Sequence, residues 1–563
     1  MDPSTADYAA IATPRETYRD AIEYGTTDGD ADQQRCSSSN RRHVLGTVPE
    51  HSRQGPLRFR GRLVIWPGIV LLAVLGVVAA ALMTKYAIDA RESMFVRRDN
   101  YEAARRQSRA IRWNETTNNE TIRAPTSTKE LVSPDGVVGN PTVYPPSGCV
   151  LPNYVSKNGK LFAEGPNGES IQMAIKGINW SGMETSLGIP FGLWTNEYNG
   201  TTVYEIALFL SRNKVNSIRL PLSVSSILAD TPPLKSVVNQ AQNRALDIST
   251  YMSTIASLTR SLAYRNISVL LDLHTLTPTV NGGWPWSPGT PYTQAAFLEA
   301  VDALTAALCE DTFWNIIGVD VKNEPYLATW GDGGSTDFRL MAAIIGNRVL
   351  KGCSNWLVFV EGISSAQTLT VDNSTFSFFD WWGGGLEGAG TAPVDLAKPH
   401  KLVYSPHYYT PAVYPQLYFL QSGTKAGNVI RDFVELDDTT LRRRVFATSQ
   451  HMFGYLAGTQ DAVIIAGEFG GLYAQDLHPK KTTQRVTQYM IDVLKQPGFA
   501  GGYLWALNPE SAYQYNPSDT EVTAFEGLLR PNWLDVNGPL LQAMAAMDAI
   551  PHVQPFPCFP KKA

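Results

Sequence analysis

Charge is scarce in this 563-residue chain: Asp, Glu, Lys and Arg together make up 18% of it, and the formal net charge is −5. No basic field is present to hold a nucleic acid. Histidine is rarer still, at 8 residues, and cysteine numbers only 5. No His, Cys and Asp spacing has the pattern of a metal site, so the chemistry is expected to need no metal and no cofactor. No Gly-x-Gly-x-x-Gly turn follows any apolar run, which removes the main signature of a dinucleotide-binding sheet. Repeats of solenoid period are also missing. What the chain does have is rings, with 13 Trp, 24 Tyr and 21 Phe in a sequence that is 44% hydrophobic. That composition can bury a large core.

One stretch, 63–83, is uninterruptedly apolar and uncharged, and it is long enough to cross a hydrocarbon core of about 30 Å. Polar residues 1–62 precede it, so it reads as a retained transmembrane anchor rather than a cleaved signal peptide. Flanking charge does not orient it, because Arg53, Arg58, Arg60 and Arg62 on one side match Lys85, Arg91, Arg97 and Arg98 on the other. The Asn-X-Ser/Thr triplets do, since Asn114, Asn119, Asn179, Asn199, Asn266 and Asn373 all follow the span. Asn179 lies in an apolar run and is expected to be buried and unmodified. The reading is a single-pass type II protein: a disordered cytoplasmic tail (1–62), the anchor (63–83), a juxtamembrane segment and stalk (84–146), and a folded domain (147–563) facing the extracellular or lumenal side. Four of the cysteines fall in that last part. Of three possible connectivities, the expected one pairs Cys309 with Cys353, around one strand and helix unit, and Cys149 with Cys558, across the ends of the domain.

Within the folded part, eight short runs rich in β-branched and apolar residues alternate with longer helical stretches. They lie at 173–180, 215–222, 268–274, 316–324, 356–362, 402–409, 462–468 and 501–507. Eight such strands with crossover helices predict an α/β fold, a (β/α)₈ TIM barrel, whose chemistry gathers where the strands end. Each run ends in a group able to act on a polar substrate: Asn179, Arg219, His274, Asn323 with Glu324, Glu361, His407 with Tyr409, Glu468 and Trp505.

Two carboxyl groups facing each other across a sugar are the minimum equipment for glycosidic cleavage with retention, one protonated and one ionised. Glu324 is the candidate acid/base and Glu468 the candidate nucleophile. Arg219 and Tyr409 are expected to hold the Glu468 carboxylate, Asn323 to meet the sugar 2-hydroxyl, and His274 and His407 to fix the carboxylates or a substrate hydroxyl. Glu361 reads as a structural ion-pair partner or a site residue, Asp272 as a packing residue. Trp194, Trp284, Trp286, Trp330, Trp381, Trp382 and Trp505 fall in or beside the loops after the strands, where flat rings can stack on pyranoses. Trp505 is the favoured floor for the reacting sugar, and Trp194 and Trp381 complete the expected binding set.

From about 171 to 535 the chain also resembles glycoside hydrolase family 5, and within it the cellulase-type endo-β-1,4-glucanases. The resemblance rests on Gly-Ile-Asn-Trp at 177–180, Gly-Leu-Trp at 192–194, Ile-Arg-Leu-Pro at 218–221, Asp-Leu-His at 272–274, Asn-Glu-Pro at 323–325, Trp-Trp-Gly-Gly at 381–384, Tyr-Ser-Pro-His-Tyr-Tyr at 404–409, Gly-Glu-Phe-Gly at 467–470 and Trp-Ala-Leu-Asn-Pro-Glu-Ser at 505–511. It implies a (β/α)₈ barrel and a retaining double displacement on β-glucan, with Glu324 as acid/base, Glu468 as nucleophile, and Arg219, His274, Asn323, His407, Tyr409 and Trp505 around them. The same family chemistry also covers β-1,3-glucan, mannan and glucosylated lipid, and a cleft without turnover would make a glucan-binding receptor. The anchor and the lack of a visible cellulose-binding module set this chain apart from released cellulases and point to glucan near the cell's own surface.

Overall fold

The computed structural model describes residues 141–561, apart from 196–198, 287–292, 428 and 518–522, together with Val70, Gly76, Ala80, Met83, Thr84 and Lys85. The expected tail, most of the expected anchor and nearly all of the stalk therefore lie outside the described residues. Among the described residues, no helix is long and apolar enough to cross a membrane.

All eight expected strands form: β1 (Ile175–Asn179), β2 (Ser217–Ser223), β3 (Ser268–Thr275), β4 (Ile316–Asp320), β5 (Leu357–Val360), β6 (Leu402–Tyr404, resumed at His407–Tyr409), β7 (Val463–Gly470) and β8 (Phe499–Leu504). Every neighbouring pair is parallel, β8 pairs with β1, and β6 pairs with both β5 and β7, so the sheet closes into a barrel. The strands read as continuous apolar runs because both their faces are buried, one in the barrel interior and one under helices. At the β8–β1 seam the backbones come so close that a Cβ on Gly501, where φ is +84°, would stand 1.8 Å from the Ile175 carbonyl oxygen.

Crossover helices are α1 (Val203–Arg212), α2 (Tyr251–Ala263), α3 (Gln294–Leu308), α4 (Phe338–Gly352), α5 (Asp438–Met452) and α6 (Thr482–Leu494). Their starts are written locally. Thr202, Thr293 and Asp437 each accept from a backbone N–H of the first turn, and Thr250 forms a capping box with Ser253. The fifth crossover departs from the expected alternation. Between β5 and β6 no α-helix forms; the chain makes an antiparallel hairpin, Ala366–Val371 with Ser374–Phe379, and then a 3₁₀ turn at Glu387–Gly390. Alternating Thr, Leu, Val, Phe and Ser with an Asp-Asn turn carry the two-residue period of a strand, not the period of a helix.

The N-terminal ends of the strands are closed by a three-stranded antiparallel sheet, Asn153–Lys157, Lys160–Glu164 and Ser170–Met173. It bonds to the residues just ahead of the strands: Tyr154 N–H to the Asn355 carbonyl, Ser156 N–H to the His400 carbonyl, and Gly159 N–H to the Asp461 carbonyl. Both expected disulfides are present, Cys149–Cys558 and Cys309–Cys353, with Cα separations of 5.2 and 5.6 Å.

Candidate active site

The polar strand ends converge on one guanidinium. Arg219, on β2, is wholly buried. Its Nε donates to Asp320 Oδ2 at 3.1 Å, its Nη1 to Asn179 Oδ1 at 3.1 Å and to Glu468 Oε1 at 2.5 Å, and its Nη2 to Asn323 Oδ1 at 3.0 Å and to Glu361 Oε1 at 2.9 Å. Asp272 Oδ2 lies 3.1 Å from the same Nη1. Parallel register makes this possible: Asn179 stands beside Arg219 across β1 and β2, Asp272 beside Asp320 across β3 and β4, and His407 beside Glu468 across β6 and β7. An arginine is suited to the place, because its planar fork offers five N–H donors and never loses its charge.

One cation among four buried carboxyl groups forces them apart in acidity. Burial works to raise Asp272, but Arg219 and then His274 overcome it and hold the carboxyl below its ordinary range. Asp320 goes the other way: burial and the neighbouring Glu361 lift it well above the carboxylate range despite Arg219. Burial also lifts Glu361 far up, with Arg219 opposing and Asp272 adding. Glu468 is pushed up to about 8 by burial, against the pull of His407 and Arg219 and with a push from Glu324 and Glu361. Two donors face its oxygens, Arg219 Nη1 on Oε1 and the Tyr409 hydroxyl on Oε2, and both stabilise the ionised form.

Glu324 does not sit on its strand. β4 ends at Asp320, and Glu324 lies four residues on, in a loop, with a left-handed φ of +47° just before Pro325. Its backbone N–H donates to Glu361 Oε2 at 2.8 Å, and its Oε1 lies 3.3 Å from His407 Nδ1. His407 Nδ1 is also 3.8 Å from Glu468 Oε2. Glu324, His407 and Glu468 offer atoms that all lie within 4.8 Å of one another, so a carboxyl oxygen of Glu324 and one of Glu468 face each other across a short gap.

These same three residues, and separately Asp272, Asp320 and Glu361, are grouped closely enough to ligate a cation. In the second group the Arg219 guanidinium already supplies the positive charge.

Of the other expected site residues, His274 donates or accepts at Nδ1 with Asp272 Oδ2 at 2.6 Å, and its ring stacks on Trp505 with centroids 5.9 Å apart and planes 11° from parallel. Asn323 is fixed by Arg219 at Oδ1, which leaves Nδ2 as its donating end. Trp505 remains half-buried at the end of β8. Trp382 stacks on Tyr326 with centroids 3.8 Å apart, and both rings keep some exposure.

Two of the expected sugar contacts, Trp381 and Trp194, have protein partners of their own. Trp381 is only 4% exposed; it packs edge-on against Tyr409 and tilted against Tyr408 and Phe419, and its Nε1 donates to the Tyr418 hydroxyl. It buttresses Tyr409 from behind. Trp194 packs edge-on against Trp533 and donates to Asn199 Oδ1, so its partners belong to the loop after β1 and the C-terminal segment. Trp330 and Trp286 also have ring partners, Phe338 and Phe297. Asn179 is buried as expected, donating to the Gly467 and Leu504 carbonyls, and cannot accept a glycan in the folded chain.

Asp320 was not anticipated. Its signal was an acid inside the apolar run 316–321, two residues from Gly318 and Lys322 and so on the same strand face. Asp272 is likewise more than packing, and Glu361 joins Arg219 to Glu324.

Residues 169–511 match the family described as Cellulase (glycosyl hydrolase family 5). The chain is similar to the major extracellular endoglucanase of Xanthomonas campestris pv. campestris, with 29% identity over 68% of this chain and 69% of that one. It is also similar to an endoglucanase of Paenibacillus polymyxa, with 28% identity over 65% of this chain and 81% of that one. Among solved structures, the endocellulase from Pyrococcus horikoshii in complex with cellotetraose superposes with a TM-score of 0.56 at 25% identity, covering 72% of this chain and all of that one. A closed parallel barrel, a pair of close carboxyls, one in the loop past its fourth strand and one on its seventh, and a family match over most of the folded domain lead to one assignment: the chain is a glycoside hydrolase and belongs to the cellulase family, glycosyl hydrolase family 5.

Proposed function

We propose that this protein is an endoglucanase that cleaves internal β-1,4-glucosidic bonds of cellulose-like β-glucan by a retaining double displacement. The observation that carries the reading is the Glu324–Glu468 pair, with a carboxyl oxygen of each within 4.8 Å of the other and donors fixed on Glu468. Endoglucanases and a cellotetraose-bound endocellulase among the similar proteins support the choice of polymer.

In the first step Glu468 attacks the anomeric carbon while Glu324 gives its proton to the leaving glycosidic oxygen, forming a glycosyl-enzyme ester. In the second, Glu324 takes a proton from water as that water displaces Glu468. Arg219 and the Tyr409 hydroxyl hold the Glu468 charge and aim it; the Asn323 amide donates to the sugar 2-hydroxyl as charge develops on the ring. Trp505, backed by His274, gives the reacting sugar an apolar floor. Trp382 with Tyr326 offers a further ring surface.

The uncharged run 63–83 and the one-sided glycosylation triplets support a single-pass anchor with the barrel on the extracellular or lumenal side. Product analysis on carboxymethylcellulose, laminarin and mannan tests the substrate: falling viscosity and new reducing ends with carboxymethylcellulose are expected, and activity confined to laminarin or mannan refutes the linkage.

A further inference from the structure

The mechanism above gives no task to the buried acids Asp272, Asp320 and Glu361. Glu361, in the loop just past β5, is fully buried, and both of its oxygens accept from groups of the site. Oε1 takes the Arg219 Nη2 proton at 2.9 Å and lies 3.1 Å from His407 Nε2. Oε2 takes the backbone N–H of Glu324 at 2.8 Å. That second bond is unusual in what it holds. Glu324 carries a left-handed φ of +47°, which an L-residue with a long side chain adopts only under constraint from its surroundings. Pro325 narrows its options further, and the Glu361 carboxyl pins the one backbone donor that fixes its orientation.

We infer that Glu361 is a positioning residue for the proton donor: it locks the left-handed backbone of Glu324, through Oε2, to the Arg219 that holds Glu468, through Oε1. The inference rests on the acid/base assignment of Glu324. The loop opposite is shaped to keep the carboxyl in place. Gly383, with φ of +78°, accepts the Gly362 N–H at its carbonyl, and a Cβ there would fall 2.4 Å from Glu361 Oε2. The two oxygens of Glu361 face two donors, and a glutamine has only one acceptor to offer them.

The test separates proton donation from general damage. With cellotetraose the leaving sugar must be protonated, whereas a 2,4-dinitrophenyl β-cellobioside expels an anion that needs no proton. For Glu361→Gln, kcat/KM on cellotetraose is expected to fall about 50-fold and kcat/KM on the dinitrophenyl glycoside to change less than threefold. Gly383→Ala, which displaces the carboxyl without removing it, is expected to show the same contrast, and it serves alone if the first variant does not fold by circular dichroism. Equal losses on the two substrates, or no loss on either, overturn the inference. A wild-type protein that cleaves neither substrate overturns the proposed function instead, so the two failures are told apart.

Discussion

The two ends of the barrel are equally buried and chemically opposite. Beneath the strand starts, the three-stranded sheet contributes Tyr154, Leu161, Ala163 and Met173, each essentially inaccessible and apolar or satisfied, as in the Tyr154 hydroxyl donating to the Trp314 carbonyl. Above the strand ends, the equally inaccessible positions are Arg219, Asp272, Asp320, Glu361 and His407. Burying apolar area stabilises a fold by about 25 cal/mol per Å², whereas burying ionisable groups costs free energy unless each is paired. One end therefore holds the barrel shut, and the other spends part of that stability on preorganised charge.

The contrast breaks most visibly at the proposed nucleophile. Glu468→Gln should lower kcat on carboxymethylcellulose on the order of 10⁴-fold while leaving the melting transition in place, as read by reducing-sugar release beside calorimetry. Replacing the hub is expected to harm both properties. Arg219→Met strands the Asp272 carboxylate and should cost about 3–5 kcal/mol in denaturant unfolding along with nearly all activity; an intact midpoint would show that the cluster is not coupled to folding.

At the other end the pattern should invert. Leu161→Ala is expected to cost about 2–5 kcal/mol in the same unfolding measurement, with kcat/KM unchanged well below the melting temperature. The mildest test is one of acidity. Because burial holds Glu468 up, near 8, the reactive carboxylate is depleted as pH falls, and the acid limb of kcat/KM reports its ionisation. Tyr409→Phe removes a donor to the charged form, so that limb should move to higher pH by roughly one unit. A shift to lower pH would mean that the hydroxyl favours the protonated acid.

Much of this was legible from the residues alone. A strand covered on both faces must be apolar throughout, so the eight barrel strands stand out as runs, and an acid closing such a run, as Glu468 does, has few structural excuses. The fifth crossover was missed because a helix is the usual return between parallel strands, and only the alternation across 366–379 shows that a hairpin takes its place. Trp381 and Trp382 show a deeper limit. The two are adjacent in sequence, yet one is covered by Tyr408 and Phe419 from later segments while the other meets Tyr326 and stays partly open. Sequence pattern reports that a ring wants to be covered, not which neighbour will cover it. Asp320 escaped for the same reason, and Glu361 could be read only as an ion-pair partner or a site residue without its neighbours, since both share Arg219 across three strands.

The bridge from Cys149 to Cys558 joins the first and last strands of the folded region, where Cys149 pairs with Pro560 and Val150 with Phe559. The entry point lies at the strand starts, since Leu151 N–H bonds Asp311 just ahead of β4. A protease that cuts a single exposed loop anywhere between the two cysteines consequently liberates nothing: the fragments stay leashed to one another at the end farthest from the carboxylates.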